Sequence, residues 1–302
     1  MKILYRFYNQ TRILSGFIFF VLFLFVSSLH AQDTKDWMSR LPDALRVKDI
    51  LLPGTHDSAT GNAKGVFSFV WKTQHETISE QLINGVRFLD LRCTESLRMA
   101  HGSAVFKQTL EEVLDTVFIF LKRNPSEYVI VSLRQEDRGH SGVFEDNVKR
   151  LLSENRMYKI LSEEGISKRS LGDLRGKIVW LSRSDCGLGR RVVWSHEGRT
   201  EVFEWEVQDN FRVDVKTKKG LVRDFYLHRD TAKCALNFNT VTGRLGGFWF
   251  LKKIPYPYKG AKRLNKSLEL TLSGGFLPLS GVIVLDFGES LYKSIISRNF
   301  KK

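Results

Sequence analysis

Cysteine is scarce in this sequence, and its pattern limits the sites that it can build. Only 3 of the 302 residues are cysteines: Cys93, Cys186 and Cys234. An odd number of cysteines cannot all pair within one chain, so at most one disulfide can form, between Cys186 and Cys234 if anywhere. The preferred interpretation is three buried or half-buried thiols. No two cysteines have the Cys-x-x-Cys spacing, which excludes a zinc site of that type.

Acidic residues are absent from the first 31 positions. Three basic residues precede a nearly continuous apolar stretch, Ile13–Val26, and small residues ending at Ala31 precede a polar chain. This order is typical of a secretory signal peptide, and the apolar stretch is short for a membrane span of about 20 residues. Because Leu29 is a poor residue at the third position before the cut, an uncleaved anchor is the alternative. The sequence therefore predicts a signal peptide over 1–31 and a secreted or periplasmic protein.

The remaining chain, 32–302, shows no internal repeat, low-complexity run or linker. With 42% hydrophobic and 26% charged residues but only 6 Pro and 23 Gly, the composition is globular and excludes collagenous, coiled-coil and wholly disordered chains. The formal net charge of +14 attracts anions, whether nucleic acid, acidic membranes or phosphorylated substrates. Charge alone does not choose among them. We expect residues 32–302 to form one domain.

Short apolar segments alternate with helical patterns along the chain. The clearest helix begins at Leu110, because Thr109 and Glu112 form a capping box, apolar residues recur on one face, and Pro125 ends it. The other predicted helices are Ile78–Asn84, Val143–Leu152 and Leu291–Arg298. The predicted strands are Val47–Leu52, Val86–Cys93, Tyr128–Leu133, Lys177–Leu181, Val202–Val207, Ala235–Phe238 and Val282–Leu285. This alternation is typical of parallel α/β proteins, and the irregular second half favours a distorted or incomplete TIM (β/α)8-type barrel in a single domain.

Residues with acid–base chemistry follow the predicted strands. Side chains alternate along a strand, so Asp90 and Arg92 point the same way, beyond apolar residues. His56 and Asp57 come after the first strand, and barrel enzymes place their sites at the carboxyl ends of strands. The further strand-end residues are His101, Arg183 and Asp286.

Each of these residues alone has a structural interpretation. A lone histidine is more often a satisfied structural side chain than a catalyst, Asp90 and Arg92 can form a structural ion pair, and Asp286 can cap a helix. Together, at the strand ends of one barrel, they suit a phosphate ester, because His can transfer protons, Asp can orient His, and Arg can hold phosphate.

Three segments resemble the X-type catalytic region of phosphatidylinositol-specific phospholipases C, and the bacterial, metal-independent branch is the more similar one. They are Leu51–Ser58, Gly85–Arg92 and His101-Gly102, in that order. Weaker similarity spans nearly the whole mature chain. The resemblance implies a barrel enzyme that releases diacylglycerol and inositol 1,2-cyclic phosphate from phosphatidylinositol. It leaves open whether glycosylated phosphatidylinositol anchors are also substrates.

The resemblance also implies roles for five residues. His56 is the general base that takes the proton of the inositol 2-hydroxyl. His101, with Asp57 as its partner, is the general acid for the departing glycerol oxygen. Asp286 orients His56 and stabilises its charged form, as the Asp of a catalytic triad does. Arg92 neutralises the phosphate as its charge develops.

Four further positions are implied to bind the substrate. Arg183 and Asp209 resemble residues that bind inositol hydroxyls. Phe211 stands where the bacterial proteins tend to carry a stacking Tyr, so the ring is kept and the hydroxyl is lost. Arg134 lies near a Lys of the family that touches the sugar.

No metal and no other cofactor are expected. The animal branch of the family binds calcium through acidic residues at positions that match Asp90 and Arg92. A guanidinium stays protonated and has no acceptor, so Arg92 cannot ligate a cation. Its fixed positive charge would stand where calcium would.

Two aromatic runs predict contact with a phosphatidylinositol-containing membrane surface. Val66–Lys72 follows the His56 loop, and Phe248–Phe250 precedes two lysines. Trp suits the headgroup level and Lys suits anionic lipid, so Trp71 and Trp249 are predicted at the interface. The alternative is that these aromatic residues pack in the core. We expect a monomer that binds membranes peripherally.

Two other functions stay open, and a third is not expected. A glycerophosphodiester phosphodiesterase would share the barrel, but it needs a metal site and a His-Arg pair where this chain has His56-Asp57. A non-catalytic phosphoinositide-binding barrel would lose a catalytic His or Arg, and this chain has both. A nucleic-acid binder would explain the charge, but the basic residues are scattered and no motif is recognisable, so no nucleic-acid partner is expected.

Overall fold

The computed structural model describes residues 34–63, 68–137, 140–241, 258–275 and 277–301, without the side chains of residues 69 and 70. The described residues form one compact unit. The predicted signal peptide lies outside the described residues and stays a prediction. In the part of the chain that is described, no helix is both long and apolar enough to cross a bilayer.

The described residues form 11 strands and eight α-helices. The strands are β1 (Leu51–Thr55), β2 (Phe88–Cys93), β3 (Arg98–His101), β4 (Ala104–Thr109), β5 (Val129–Gln135), β6 (Ile160–Ser162), β7 (Ile178–Ser182), β8 (Arg199–Val202), β9 (Trp205–Gln208), β10 (Cys234–Asn239) and β11 (Gly281–Leu285). The helices are α1 (Ser68–Trp71), α2 (Ile78–Ile83), α3 (Leu110–Arg123), α4 (Ser141–Glu154), α5 (Leu171–Leu174), α6 (Val215–His228), α7 (Tyr258–Gly274) and α8 (Tyr292–Ser297).

The sheet is an open barrel of mostly parallel strands. Side by side lie β6, β7, β5, β2, β1, β11, β10 and β9, all parallel, and β8 joins β9 antiparallel at one edge. β3 and β4 form an antiparallel hairpin beside β2. Within the described residues, the edge strands β6 and β8 do not pair with each other, so the barrel is incomplete. The predicted α/β barrel class is confirmed. Because the strands are parallel, their carboxyl ends lie together at one end of the barrel.

Two apolar layers lie on opposite faces of the sheet. Phe88, Val282 and Val284 belong to the inner layer and are at most 1% exposed. Leu89 and Leu91, which alternate with Phe88 on β2, belong to the outer layer beneath the helices. The predicted alternation on these strands is confirmed. Burial of apolar surface on both faces stabilises the fold by about 25 cal/mol per Å². Strands that are buried on both faces therefore have nearly continuous apolar sequences.

Helix α3 begins as the capping box predicted. The Glu112 N–H donates to Thr109 Oγ1 at 3.2 Å, and the Thr109 N–H donates to Glu112 Oε2 at 2.9 Å. Lys122 and Arg123 occupy the last turn, where positive charge is favourable to the helix dipole. These local signals fix the start of the helix without help from distant residues.

The predicted strand Val47–Leu52 is wrong in its bounds. Residues Val47–Asp49 form a 3-10 helix, and β1 continues through Pro53 and Gly54 to Thr55. Proline has no N–H to donate to a neighbouring strand. The Pro53 carbonyl faces β2 and accepts from the Arg87 N–H, and residue pairing between β1 and β2 begins only at Gly54. The sheet therefore loses no hydrogen bond at Pro53. A Cβ on Gly54 would lie 2.9 Å from Val282 Cγ1 and 3.1 Å from Phe88 Cβ, so a larger residue would force a neighbour to shift.

The predicted strand Val202–Val207 is also wrong, because the chain turns within it. Phe203 has a φ of 51°, and β8 and β9 form a hairpin on either side, with Val202 opposite Trp205. The strand end predicted at His101 is confirmed as the end of β3. The elements that were not predicted are helices α1, α5, α6 and α7 and strands β4 and β6. The three cysteines are free and buried, which confirms the interpretation as thiols.

A buried ion pair ties the base of the barrel together. Arg87 Nη2 lies 2.7 Å and Nε 2.9 Å from Glu127 Oε2, and both side chains are fully buried. Arg87 also donates to the carbonyls of Leu82 and Lys35, and Glu127 accepts the Met38 N–H at 2.9 Å. The pair therefore joins the N-terminal segment, the end of α2 and the segment before β5.

We expect Glu127→Ala to lower the free energy of unfolding by about 3–5 kcal/mol, because it leaves the Arg87 charge buried without a partner. Urea denaturation measures this loss. Asp49→Ala, which removes the exposed pair with Lys48, is the control and should cost less than about 1 kcal/mol. Equal losses in the two variants would contradict the structural role of the buried pair.

Candidate active site

Neighbouring strand ends bring the predicted residues to one edge of the sheet. His56 and Asp57 follow β1, Asp90 and Arg92 lie on β2, and Asp286 follows β11; these three strands are adjacent, with β1 in the middle. The other predicted residues at this edge are His101 at the end of β3, Arg134 on β5, Arg183 after β7 and Asp209 after β9.

The turn after β1 is held from both sides. The His56 N–H donates to the Leu285 carbonyl at 3.1 Å, and the His56 carbonyl accepts from Thr73 Oγ1 at 2.8 Å and Gln74 Nε2 at 2.9 Å. Asp57 has φ 44° and ψ 53°, a left-handed conformation that Asp tolerates better than most residues. Its side chain is fully buried at the centre of the site.

The two ring nitrogens of His56 face different partners. Nδ1 lies 2.9 Å from Asp286 Oδ1, whereas Nε2 lies 2.8 Å from Arg92 Nη2 and 3.2 Å from Asp57 Oδ2. Burial alone lowers the pKa of His56, but the Asp57 and Asp286 carboxylates outweigh it and raise the pKa to about 9. Because a carboxylate accepts, Nδ1 donates to Asp286, and Nε2 is left to face the centre of the site.

Asp57 connects both histidines to Arg92. Its Oδ2 lies 3.2 Å from Nε2 of His56 and 3.2 Å from Nε2 of His101, and its Oδ1 lies 2.7 Å from Arg92 Nε. His101 Nδ1 donates to the Trp71 carbonyl at 2.7 Å, so Nε2 is the nitrogen that faces the site. Burial alone would raise the pKa of Asp57, but Arg92 and the two histidines lower it far below its usual range. The carboxylate therefore stays ionised.

The Arg92 guanidinium is surrounded by carboxylates. Besides Asp57, Nη2 lies 3.4 Å from Asp90 Oδ2 and Nη1 lies 3.6 Å from Glu136 Oε1. Burial disfavours the charged form, but these three carboxylates outweigh it and hold the pKa of Arg92 above its usual range. The site thus contains a permanent positive charge that is 12% exposed.

His56, Asp57 and Asp90 offer ligand atoms within 4.8 Å of one another, a spacing that could hold a cation. The Arg92 guanidinium approaches all three residues, at 2.8, 2.7 and 3.4 Å. A cation bound there would be repelled by this fixed charge, so the donor set does not fit a metal ion while Arg92 keeps its position. That the site works without a metal stays a prediction.

Arg183 and Asp209 both contact Trp194, a residue that the sequence did not indicate. The Arg183 guanidinium lies 3.9 Å from the centre of the Trp194 ring and 3.5 Å from Asp90 Oδ1. Trp194 Nε1 and His196 Nδ1 each lie 2.9 Å from Asp209 Oδ2. Burial would raise the pKa of Asp209, but His196, Trp194 and Arg183 together lower it. An ionised acceptor and a guanidinium donor therefore lie against the same Trp194 side chain, and Asp90 links this guanidinium to that of Arg92.

The two remaining candidates for substrate binding border this group. The Phe211 ring lies 5.0 Å from the His196 ring, edge to face. Arg134 pairs in register with Arg92 across β2 and β5, and its Nη2 donates to Glu136 Oε2 at 2.5 Å. Arg134 therefore extends the positive charge of the site along the sheet edge.

The two predicted membrane residues differ in what the structure describes. Trp71, at the end of α1, is half-buried, and its ring lies 6.2 Å from the His101 ring. It borders the site while its backbone carbonyl holds His101. Trp249 and the run Phe248–Phe250 lie outside the described residues and stay predictions.

Sequence reasoning missed three residues of this site. Trp194 and His196 lie in an irregular segment between β7 and β8, and no local pattern distinguishes them from other aromatic residues. Glu136, which contacts Arg92 and Arg134, alternates with Arg134 at the end of a predicted strand. That spacing is a signal that could have identified Glu136.

Comparison with known proteins yields relatives over most of the chain. The family described as phosphatidylinositol-specific phospholipase C, X domain, matches residues 60–184. A protein of Listeria monocytogenes named 1-phosphatidylinositol phosphodiesterase is 29% identical over 88% of this chain and 85% of its own length. A protein of the same name from Staphylococcus aureus strain Newman is 28% identical over 86% and 92%.

Solved structures agree with these relatives. The phosphatidylinositol-specific phospholipase C of Listeria monocytogenes matches with a TM-score of 0.72 and 27% identity, over 88% of this chain and 99% of that one. A double mutant of the Staphylococcus aureus enzyme matches with a TM-score of 0.74 and 22% identity, over 88% and 97%, and shares the fold. The chain is thus similar to bacterial phosphatidylinositol-specific phospholipases C over most of its length, and its residues 60–184 match the X domain of that family.

Proposed function

We propose that this protein is a phosphatidylinositol diacylglycerol-lyase, which splits phosphatidylinositol into diacylglycerol and inositol 1,2-cyclic phosphate. One observation carries the proposal: the Nε2 atoms of His56 and His101 both lie 3.2 Å from one oxygen of Asp57, while Arg92 contacts the other oxygen. This places two proton carriers at one carboxylate, which also holds an anion-binding guanidinium. The names of the Listeria and Staphylococcus relatives support the same substrate.

The two histidines have complementary tasks in the proposed reaction. His56 Nε2 takes the proton of the inositol 2-hydroxyl while that oxygen bonds to the neighbouring phosphorus. The bond from phosphorus to the glycerol oxygen breaks, and His101 Nε2 gives its proton to that oxygen. Asp286 accepts from Nδ1 of His56 and so leaves Nε2 as the base, whereas Nε2 of His101 is directed at Asp57 and the site.

Arg92 supplies the charge that the pentacoordinate phosphate needs. Its N–H groups face His56 and Asp57 in the free protein, so a phosphate that binds beside these two residues lies within reach of the guanidinium. A guanidinium binds two oxygens in one plane, and its stabilisation grows as charge develops on them. No step of this mechanism requires a metal ion.

The inositol ring is assigned to Arg183 and Asp209. A ring of hydroxyl groups both donates and accepts hydrogen bonds, and this guanidinium and carboxylate offer both functions. Phe211 would contact a face of the ring, and Arg134 would contact a hydroxyl from the β5 side. A glycosylated phosphatidylinositol carries the same phosphodiester, and its cleavage belongs to the same proposal.

The substrate lies in a membrane, so the proposal includes binding to a lipid surface. Trp71 borders the site and would enter the headgroup region, with Trp249 as its proposed partner. The net charge of +14 favours anionic lipid. We therefore infer a secreted or periplasmic monomer that acts peripherally on phosphatidylinositol-containing membranes.

We expect wild-type protein to release diacylglycerol from phosphatidylinositol vesicles at equal rates with and without EDTA. His56→Ala and His101→Ala each remove a proton carrier and should lower turnover about 10²–10⁴-fold or more, with unchanged circular dichroism. His228→Ala, which changes an exposed histidine of α6, is the control and should keep full turnover. A folded His56→Ala protein with near-normal activity would contradict the mechanism. A large loss of the wild-type rate in EDTA that calcium reverses would also contradict it.

We expect Asp286→Asn to lower the pKa of His56, because it removes one of the two carboxylates that raise this pKa to about 9. A general base must be neutral, so kcat/KM should fall as pH drops below the pKa, and this acidic limb should move to lower pH in the variant. NMR titration of His56 and the pH profile of kcat/KM measure the shift. Asp224→Asn, which removes the exposed partner of His228, should leave both unchanged. An acidic limb that stays in place in Asp286→Asn would disprove His56 as the base.

A further inference from the structure

A fully buried lysine lies behind the strand end that carries Asp209. Lys218 is on the first turns of α6 and is 0% exposed. Its Nζ donates to Gln208 Oε1 at 2.9 Å and to the Asn210 carbonyl at 2.8 Å. These two acceptors immediately precede and follow Asp209 in the chain. One ammonium group therefore holds the backbone segment of Asp209 from both sides.

This lysine is placed unfavourably for stability. An ammonium group loses its hydration on burial, and within the described part of the chain Lys218 forms no ion pair. Its two acceptors are neutral oxygens, and the N-terminal end of a helix disfavours positive charge. Burial lowers the pKa of Lys218 to about 7, although Asp209 and Asp286 act in the opposite direction.

The polar groups around Lys218 do not offset the free-energy cost of burying its charge. Gln208 is in register with Asn237 of β10, and Asn237 is fully buried. Among the described residues, both polar atoms of the Asn237 side chain, Gln208 Nε2 and Asn210 Oδ1 have no hydrogen-bond partner. Buried polar groups without partners cost stability. A costly lysine in such a layer indicates a function rather than a contribution to folding.

We propose that Lys218 is a positioning residue of the headgroup site, which fixes the chain on both sides of Asp209 so that its carboxylate meets the sugar hydroxyls. The proposal rests on the proposed function, in which Asp209 binds the inositol ring. Lys218 does not touch the substrate or the phosphate. It acts on ring binding through Gln208 and Asn210, and the histidines do not depend on it.

The test compares Lys218→Met with wild type on a water-soluble inositol phosphodiester, which removes membrane binding from the measurement. We expect KM to rise about tenfold while kcat changes less than about threefold, because ring binding weakens and the proton carriers stay in place. Myo-inositol should protect the variant less against thermal unfolding than it protects wild type. The midpoint of thermal unfolding without ligand should fall by no more than a few degrees.

Val222→Ala is the matched control, because Val222 is a buried residue one turn further along α6. It should lower the thermal midpoint without raising KM. A wild-type KM in Lys218→Met, or an equal rise of KM in both variants, would overturn the proposal. If Lys218→Met does not fold, Lys218→Gln decides, because its shorter side chain cannot reach both acceptors: an unchanged KM there assigns Lys218 to stability. Failure of the proposed function itself would appear separately, as wild-type protein that does not cleave the phosphodiester.

Discussion

The buried carboxylate of Asp57 is the group on which the site depends. It contacts Arg92 through one oxygen and both His56 and His101 through the other. An ionised carboxylate without exposed surface must be paired, because an unpaired buried charge costs several kcal/mol. Its need for partners therefore fixes the distance between the two histidines and the orientation of the guanidinium. The left-handed backbone of Asp57 is the local strain that this arrangement requires.

Residues behind the site hold its strand ends in place through backbone carbonyls. Gln74 Nε2 donates to the carbonyls of His56 and Leu285, at 2.9 and 2.8 Å. Asn265 Nδ2 donates to the Asp286 carbonyl at 3.0 Å. Together with Lys218 behind Asp209, these amides set the positions from which the side chains start. A site on strand ends gains precision in this way, because each functional residue inherits the position of a fixed backbone.

The sequence predicted the fold well where the signals are local. Alternation identified both faces of β2, and the capping box located the start of α3, because each depends only on residues a few positions apart. The prediction failed where tertiary structure overrode local preference. Residues 202–207 have the sequence pattern of one strand, yet the chain turns at Phe203. Only Trp205–Gln208 pair with β10, and Val202 lies opposite Trp205 on the other side of the turn.

For the site, the sequence by itself determined which residues stand at strand ends. The alternation of side chains along β2 identifies Asp90 and Arg92, and the turn after β1 identifies His56 and Asp57. Only the tertiary structure decided what these residues meet. Trp194 reaches Asp209 from a segment without regular structure, and nothing near it in the chain records that contact. The physical reason is that periodicity reports which face a side chain occupies, whereas the order of strands in the curled sheet decides which distant segment lies opposite.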